Sequence, residues 1–72
     1  MNILQRQFIE RLNDYNAIYM GEPCNSRQLR ATAQALHGID RPGRRRRYLA
    51  TTETPSIDGY IDWCYNEKAA KR

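Results

Sequence analysis

Apolar side chains recur every three or four residues along the first part of the chain. Because an α-helix completes a turn every 3.6 residues, this spacing places them on one face of a helix, whereas a half-buried strand would alternate. Residues 2–19 are therefore predicted to form an amphipathic helix whose apolar face must be covered by the rest of the chain. The positions are Leu4, Phe8, Leu12, Tyr15 and Ile18 or Tyr19, with Ile9 beside them.

A second helix is expected after a break at Gly21 and Pro23. Glycine tolerates left-handed dihedrals, and proline disfavours helix in the residue before it. Asn25 or Ser26 caps the second helix, and Gly38 ends it. Its buried face is predicted to contain Leu29, Ala33 and Leu36.

The last part of the chain predicts another helix. Thr54-Pro55-Ser56 has the character of a cap and first turn, and Gly59 costs that helix roughly 1 kcal/mol relative to alanine. Residues 40–43 predict a turn, with Pro42 able to begin a further short helix, while the conformation of residues 44–51 stays open. The apolar face of the last helix is predicted to be Ile57, Tyr60, Ile61 and Cys64, with Ala69 as a further candidate.

These segments predict an all-α fold, a small bundle of three or four short helices in a single domain, residues 1–72. A chain of this length buries only roughly 60% of its unfolded surface, so the core is thin and a homodimer is one way to complete it. No apolar run approaches the roughly 20 residues of a membrane span, and the first residues lack a signal-peptide pattern. With Cys24 and Cys64 interpreted as reduced thiols, we expect a cytoplasmic protein.

The charge of the chain is unevenly distributed. Residues 27–47 contain seven arginines against Asp40 alone, a balance of +6, whereas the remaining residues sum to −2 within a net charge of +4. All of the positive excess therefore comes from one stretch. Such a stretch indicates a phosphate-bearing or acidic partner.

The four successive arginines of residues 44–47 repel one another unless they have partners. If they are helical, they sweep roughly 300° and one must point inward. Arg45 lies one turn before Leu49, so we expect Arg45 to be semi-buried, with its stem packed and its guanidinium either extended to the surface or paired with a carboxylate. Arg46 and Arg47 then face outward, with Arg44 on the flank and Arg41 at the entrance.

Residues 28–39 read QLRATAQALHGI, and the segment RRYL follows at residues 46–49. Together they resemble a helix-turn-helix DNA-binding motif, whose second helix enters the major groove. The resemblance implies that residues 42–47 open the recognition helix and that Arg44, Arg46 and Arg47 contact bases or phosphates. It implies packing positions at Leu29, Ala33, Leu36, Ile39 and Leu49.

The leading hypothesis is a nucleic-acid-binding protein, with duplex DNA as the expected ligand. Its size and arginine richness are also similar to the small accessory proteins of temperate bacteriophages, which implies a phage-type regulator. The arginines expected at the nucleic-acid surface are Arg27, Arg30, Arg41, Arg44, Arg45, Arg46 and Arg47.

Two alternatives stay open. One is a small adaptor or inhibitor that docks on a host protein through the arginines, with Trp63 and Tyr65 as apolar anchors, although both aromatics could equally pack against the first helix. The other is a solvated charged face without a specific partner.

The sequence does not predict an enzyme, a metal site or a cofactor. His37, Cys24 and Cys64 have spacings unlike short zinc-binding patterns, and His37 is expected at a helix C-terminus. Asp58 and Asp62 fit the exposed edge of a helix rather than a catalytic pair.

Overall fold

The computed structural model describes residues 1–70, which form four α-helices and no strand within that range. They are α1 (Ile3–Tyr19), α2 (Arg27–Ile39), α3 (Pro42–Thr51) and α4 (Ile57–Ala70). The all-α prediction is confirmed, and residues 44–51, whose conformation the sequence left open, are helical. The last two residues, Lys71 and Arg72, lie outside the described residues.

Side-chain caps fix where three of the helices begin. Asn2 and Gln5 form a reciprocal capping box, in which the Gln5 N–H donates to Asn2 Oδ1 at 2.8 Å and the Asn2 N–H to Gln5 Oε1 at 3.1 Å. Ser26 rather than Asn25 caps α2. Ser56 Oγ accepts the Gly59 N–H at 3.0 Å at the start of α4.

The core is built from all four helices. The aromatic rings of Phe8, Tyr48, Tyr60 and Trp63 form a ring cluster in the core. The ring centroid of Tyr48 of α3 lies 5.5 Å from that of Phe8 and 5.3 Å from that of Tyr60. Packing is most extensive between α1 and α2, and α4 contacts both α2 and α3. The buried side chains are Phe8, Leu12, Ala33, Leu36, Ile39, Tyr48, Ile57, Tyr60 and Cys64.

Four of the sequence predictions about packing or helix ends are wrong. Leu4 and Leu29 follow the helical spacing yet are 46% and 40% exposed, because each lies near the start of its helix, beyond the neighbours that cover the middle. Ala69 is exposed near the end of α4. Gly38 does not end α2, which continues to Ile39 so that this side chain enters the core.

Hydrogen bonds from α1 hold the C-terminal end of α3. Gln5 Nε2 donates to the carbonyl oxygens of Leu49 and Thr52, each at 3.1 Å, and Asn2 Nδ2 donates to that of Glu53 at 3.1 Å. These bonds satisfy carbonyls that the end of a helix leaves without partners. Among residues 1–70 no helix has the length and apolar character needed to cross a bilayer.

Candidate nucleic-acid interface

The arginine run occupies the first two turns of α3. Pro42 stands at the first helical position, where its missing N–H costs little and its fixed φ suits a helix. Arg41 is the N-cap residue, but no side chain caps the first backbone N–H groups and no acidic residue lies in the first turn. The positive end of the helix dipole therefore lies among arginines, and the carboxylate beside it, that of Asp40, is bound to Arg45 and Tyr60.

Arg45 points inward, as its position one turn before Leu49 predicted. Its Nε donates to Asp40 Oδ1 at 2.8 Å and its Nη2 to Asp40 Oδ2 at 2.5 Å, a forked ion pair whose side chains are 23% and 13% exposed. Arg45 Nη1 also donates to Asn13 Oδ1 at 3.2 Å. The prediction of a semi-buried Arg45 is confirmed, and of the two expected arrangements of its guanidinium the structure has the pair with a carboxylate. This arginine therefore joins α1, α3 and the end of α2.

Asp40 also accepts a hydrogen bond from the Tyr60 hydroxyl, at 2.7 Å. Burial opposes ionisation of Asp40, but the bonds from Arg45 and Tyr60 and the charges of Arg45 and Arg41 outweigh it and lower the pKa of this carboxyl. Burial, followed by the bond to Asp40, raises the pKa of Tyr60. The carboxylate is thus held ionised and the phenol neutral, which keeps all three bonds in place.

Arg41 and Arg44 bind the C-terminal carbonyls of α2. Arg44 Nη1 donates to the Ile39 carbonyl at 2.5 Å, and Arg41 Nη1 donates to the carbonyls of His37 and Asp40 at 3.2 and 2.7 Å. Cations at a helix C-terminus satisfy free carbonyls and oppose the negative end of the dipole. Sequence reasoning missed this role, although basic residues immediately after a helix end are a signal for it.

Arg46 and Arg47 have different surroundings. Arg47 is exposed, so the prediction of an outward Arg47 is confirmed, and at the surface it forms an ion pair with Glu67 of α4. Arg46 is exposed and forms no hydrogen bond or salt bridge with any residue from 1 to 70. It is the member of the run whose guanidinium is fully available to a ligand.

Arg27 and Arg30 lie in the first turn of α2 and are exposed. Arg30 donates from Nε and Nη2 to the Cys24 carbonyl at 3.2 and 2.9 Å, which fastens the segment before the helix. At 1.5 Å per residue, the 13 residues of α2 separate its first turn from the arginines of α3 by about 18 Å along the axis. The structure therefore divides the seven arginines between two places.

The positions implied by the helix-turn-helix resemblance are distributed as follows. Of its packing positions, Ala33, Leu36 and Ile39 are buried, Leu49 is half-buried and Leu29 is exposed. Asp40 and Arg41 alone separate α2 from α3, and α3 begins at Pro42, where the resemblance places the start of the recognition helix.

The two aromatics of α4 named as partner anchors differ in exposure. Trp63 is half-buried, with its ring centroid 5.8 Å from that of Tyr48, whereas Tyr65 is 53% exposed. His37 lies in the last turn of α2, as predicted, and its ring stacks on that of Tyr19 at 3.7 Å between centroids. Within residues 1–70 no group of three or more His, Cys, Asp or Glu side chains could hold a metal ion.

Comparison of the chain with models of protein families, with curated proteins and with solved structures found no match.

Proposed function

We propose that this protein binds duplex DNA and that it contacts phosphates at the amino-terminal end of α3. The observation that carries the proposal is the start of this helix, where no side chain caps the first backbone N–H groups and the first turn contains no acidic residue. The nearby carboxylate of Asp40 is already bound to Arg45 and Tyr60. A phosphate oxygen there accepts from the N–H groups and the guanidinium groups together, and the helix dipole adds to the attraction.

The arginines of the site have separate roles. Arg45 and Arg44 position the helix, because their guanidinium groups are bound to Asp40 and to the Ile39 carbonyl. Arg46 contacts the ligand directly, and Arg41 contributes the donors that its two carbonyl bonds leave free. In this proposal α3 is the recognition helix and its outward Arg46 faces the groove.

Binding of a labelled random duplex, followed by fluorescence anisotropy at 50 and 200 mM salt, tests the proposal. We expect affinity to fall steeply with salt, because bound arginines release counterions from phosphates. Arg46→Ala should weaken binding and lower the slope of log affinity against log salt by about 1. Its fold should be unchanged, since Arg46 has no hydrogen bond or salt bridge with residues 1–70.

Arg6→Ala is the matched control. Arg6 is exposed on α1, next to Gln5, whose side chain binds the C-terminal end of α3, so the variant loses the same charge away from the proposed site. It should retain most of the affinity and the slope. No binding at either salt, or equal effects of the two substitutions, would contradict a phosphate site at the start of α3.

A second candidate function is docking on an acidic surface of another protein. The observation that favours it is Tyr65, a large aromatic that is 53% exposed and that the core does not require. If the protein acts by docking on another protein, Tyr65→Ala should abolish its biological activity and leave duplex binding unchanged. If it acts by binding DNA, the same variant should keep its biological activity.

A further inference from the structure

Four large apolar or aromatic side chains line a groove between the C-terminal half of α1 and the N-terminal half of α2. Tyr15 and Ile18 are half-buried, while Tyr19 and Leu29 are 43% and 40% exposed. Ile18 and Leu29 continue the apolar stripes of their helices at helical spacing, so they belong to the faces that pack. No other helix of the described chain covers them.

The molecule also exposes more surface than its mass requires. It measures 33 × 32 × 17 Å, so it is thin in one direction, and its accessible surface is 5335 Å². A compact monomer of 8.5 kDa exposes about 4,700 Å². The difference, about 700 Å², is spread over the whole molecule, as its small extent in one direction requires.

Charges at the rim of this groove indicate what covers it. Arg11 and Asp14 lie beside Tyr15, Ile18 and Leu29, both are exposed, and neither forms a salt bridge with any residue in the range 1–70. On the α2 side, the rim carries Gln34 and Arg30, whose guanidinium is bound to the Cys24 carbonyl. Arg11 and Asp14 carry opposite charges, so a second copy related by a two-fold axis presents its Asp14 to Arg11 and its Arg11 to Asp14.

We propose that this groove is the interface of a homodimer, covered by the same groove of a second copy. Leu29 and Ile18 of each copy pack against those of the other, and Arg11 of each copy pairs with Asp14 of the other at two equivalent contacts. Burial of the apolar floor provides the affinity, and the paired charges fix the orientation. The proposal does not depend on nucleic-acid binding.

Sedimentation velocity of the purified chain over a range of concentrations tests the dimer. Leu29→Glu should weaken association at least about tenfold, because it places a charge in the centre of the interface. The fold should survive, since Ser26 caps α2 by accepting the Leu29 N–H at 3.2 Å, and a glutamate at this position completes a capping box. Circular dichroism and thermal unfolding check that the helices are intact.

Ile3→Glu is the matched control, because Ile3 is 69% exposed in the first turn of α1 and is not part of the groove. It should leave association unchanged. A wild-type chain that stays monomeric at all concentrations would overturn the proposal. So would a dimer that Leu29→Glu does not weaken, or that both substitutions weaken equally.

Reversal of the rim charges distinguishes a second copy from any other occupant. Arg11→Glu alone should weaken the dimer, because it brings two like charges together at both equivalent contacts, and Asp14→Arg alone should do the same. The double variant Arg11→Glu with Asp14→Arg restores opposite charges and should recover most of the wild-type association. Effects of the single variants that add in the double variant would refute the pairing.

Discussion

At the scale of single residues, Asp40 has the widest effect on the fold. It ends α2, its N–H donates to the Leu36 carbonyl at 2.6 Å, and its carboxylate accepts from Arg45 of α3 and Tyr60 of α4. Helical rotation predicted an inward Arg45 from the sequence. The bond between Asp40 and Tyr60 could not be predicted in the same way. These residues are twenty positions apart in the chain, and their contact depends on how α4 packs.

Asp40→Asn should lower the free energy of unfolding by about 2–3 kcal/mol at neutral pH, since it leaves the guanidinium of Arg45 semi-buried without its carboxylate. Urea unfolding measures the change. Asp62→Asn removes the same charge from an exposed position on α4 and should alter stability by less than about 0.5 kcal/mol. Equal effects of the two substitutions would mean that the network adds nothing to stability.

The difference in stability between wild type and Asp40→Asn should depend on pH. The pKa of Asp40 is lower in the folded chain than its ordinary value, so its stabilising effect is complete above about pH 4 and is lost as pH falls through the folded pKa. The stability difference between wild type and Asp40→Asn should therefore shrink on acidification below that pH. A difference that is constant down to pH 2 would show that the pKa is not lowered.

At the scale of helices, the apolar spacing of the sequence predicted α1 to within one residue at its start and to Tyr19 at its end. It predicted α3 less well. Four charged residues give no apolar periodicity, and this helix depends on Pro42 at its start, the arginine bonds to α2 and a single buried side chain, Tyr48. Only the Pro42 signal was visible in the sequence.

Gly59 shows how packing reverses a helix propensity. A Cβ at this position would lie 2.8 Å from both Ser56 Oγ and the Tyr48 hydroxyl, which itself accepts the Ser56 N–H. Gly59→Ala should therefore destabilise the protein by roughly 1–3 kcal/mol, despite the better propensity of alanine.

Gly38→Ala is the control for this prediction, because nothing lies within 4 Å of the added Cβ and the residue is inside α2. It should stabilise the protein by roughly 0.5–1 kcal/mol. Thermal or urea unfolding of both variants compares them, and the prediction fails if Gly59→Ala is as stabilising as Gly38→Ala.

At the scale of the whole molecule, the core could be predicted better than the site. Phe8, Leu12, Ala33, Leu36, Tyr60 and Cys64 all follow from helical spacing and are buried. The separation of Arg27 and Arg30 from the other arginines and the binding of Arg44 to α2 did not follow from the sequence, because both depend on how the helices pack, whereas helical rotation did predict the inward direction of Arg45. Arg27 and Arg30 lie at the far end of α2 from α3, and Arg44 and Arg45 are bound within the fold.

The two cysteines should report opening of the core. Cys64 is fully buried and its burial raises the pKa of its thiol, whereas Cys24 is half-buried in the segment before α2. In dilute native protein a disulfide reagent such as Ellman's should react promptly with one thiol, and the second should react only at the rate of global unfolding.

Cys24→Ser should remove the prompt reaction and leave the slow one. Added urea should accelerate the slow reaction in proportion to the unfolded population. Two thiols that react together in the native protein would mean that the core around Cys64 opens without global unfolding.

The ring cluster gives this protein an optical property. Trp63 is the only tryptophan of the chain, and its ring centroid lies 5.8 Å from that of Tyr48 and 6.5 Å from that of Tyr60. At such separations an excited phenol passes its energy to the indole, so the folded chain emits chiefly as tryptophan even when light is absorbed by tyrosine. Loss of the packed state separates Tyr48 from Trp63, whereas Tyr60 stays close to it along the chain, so part of the transfer is lost. Tyrosine emission then rises beside a red-shifted indole band, which makes the emission spectrum a label-free record of folding.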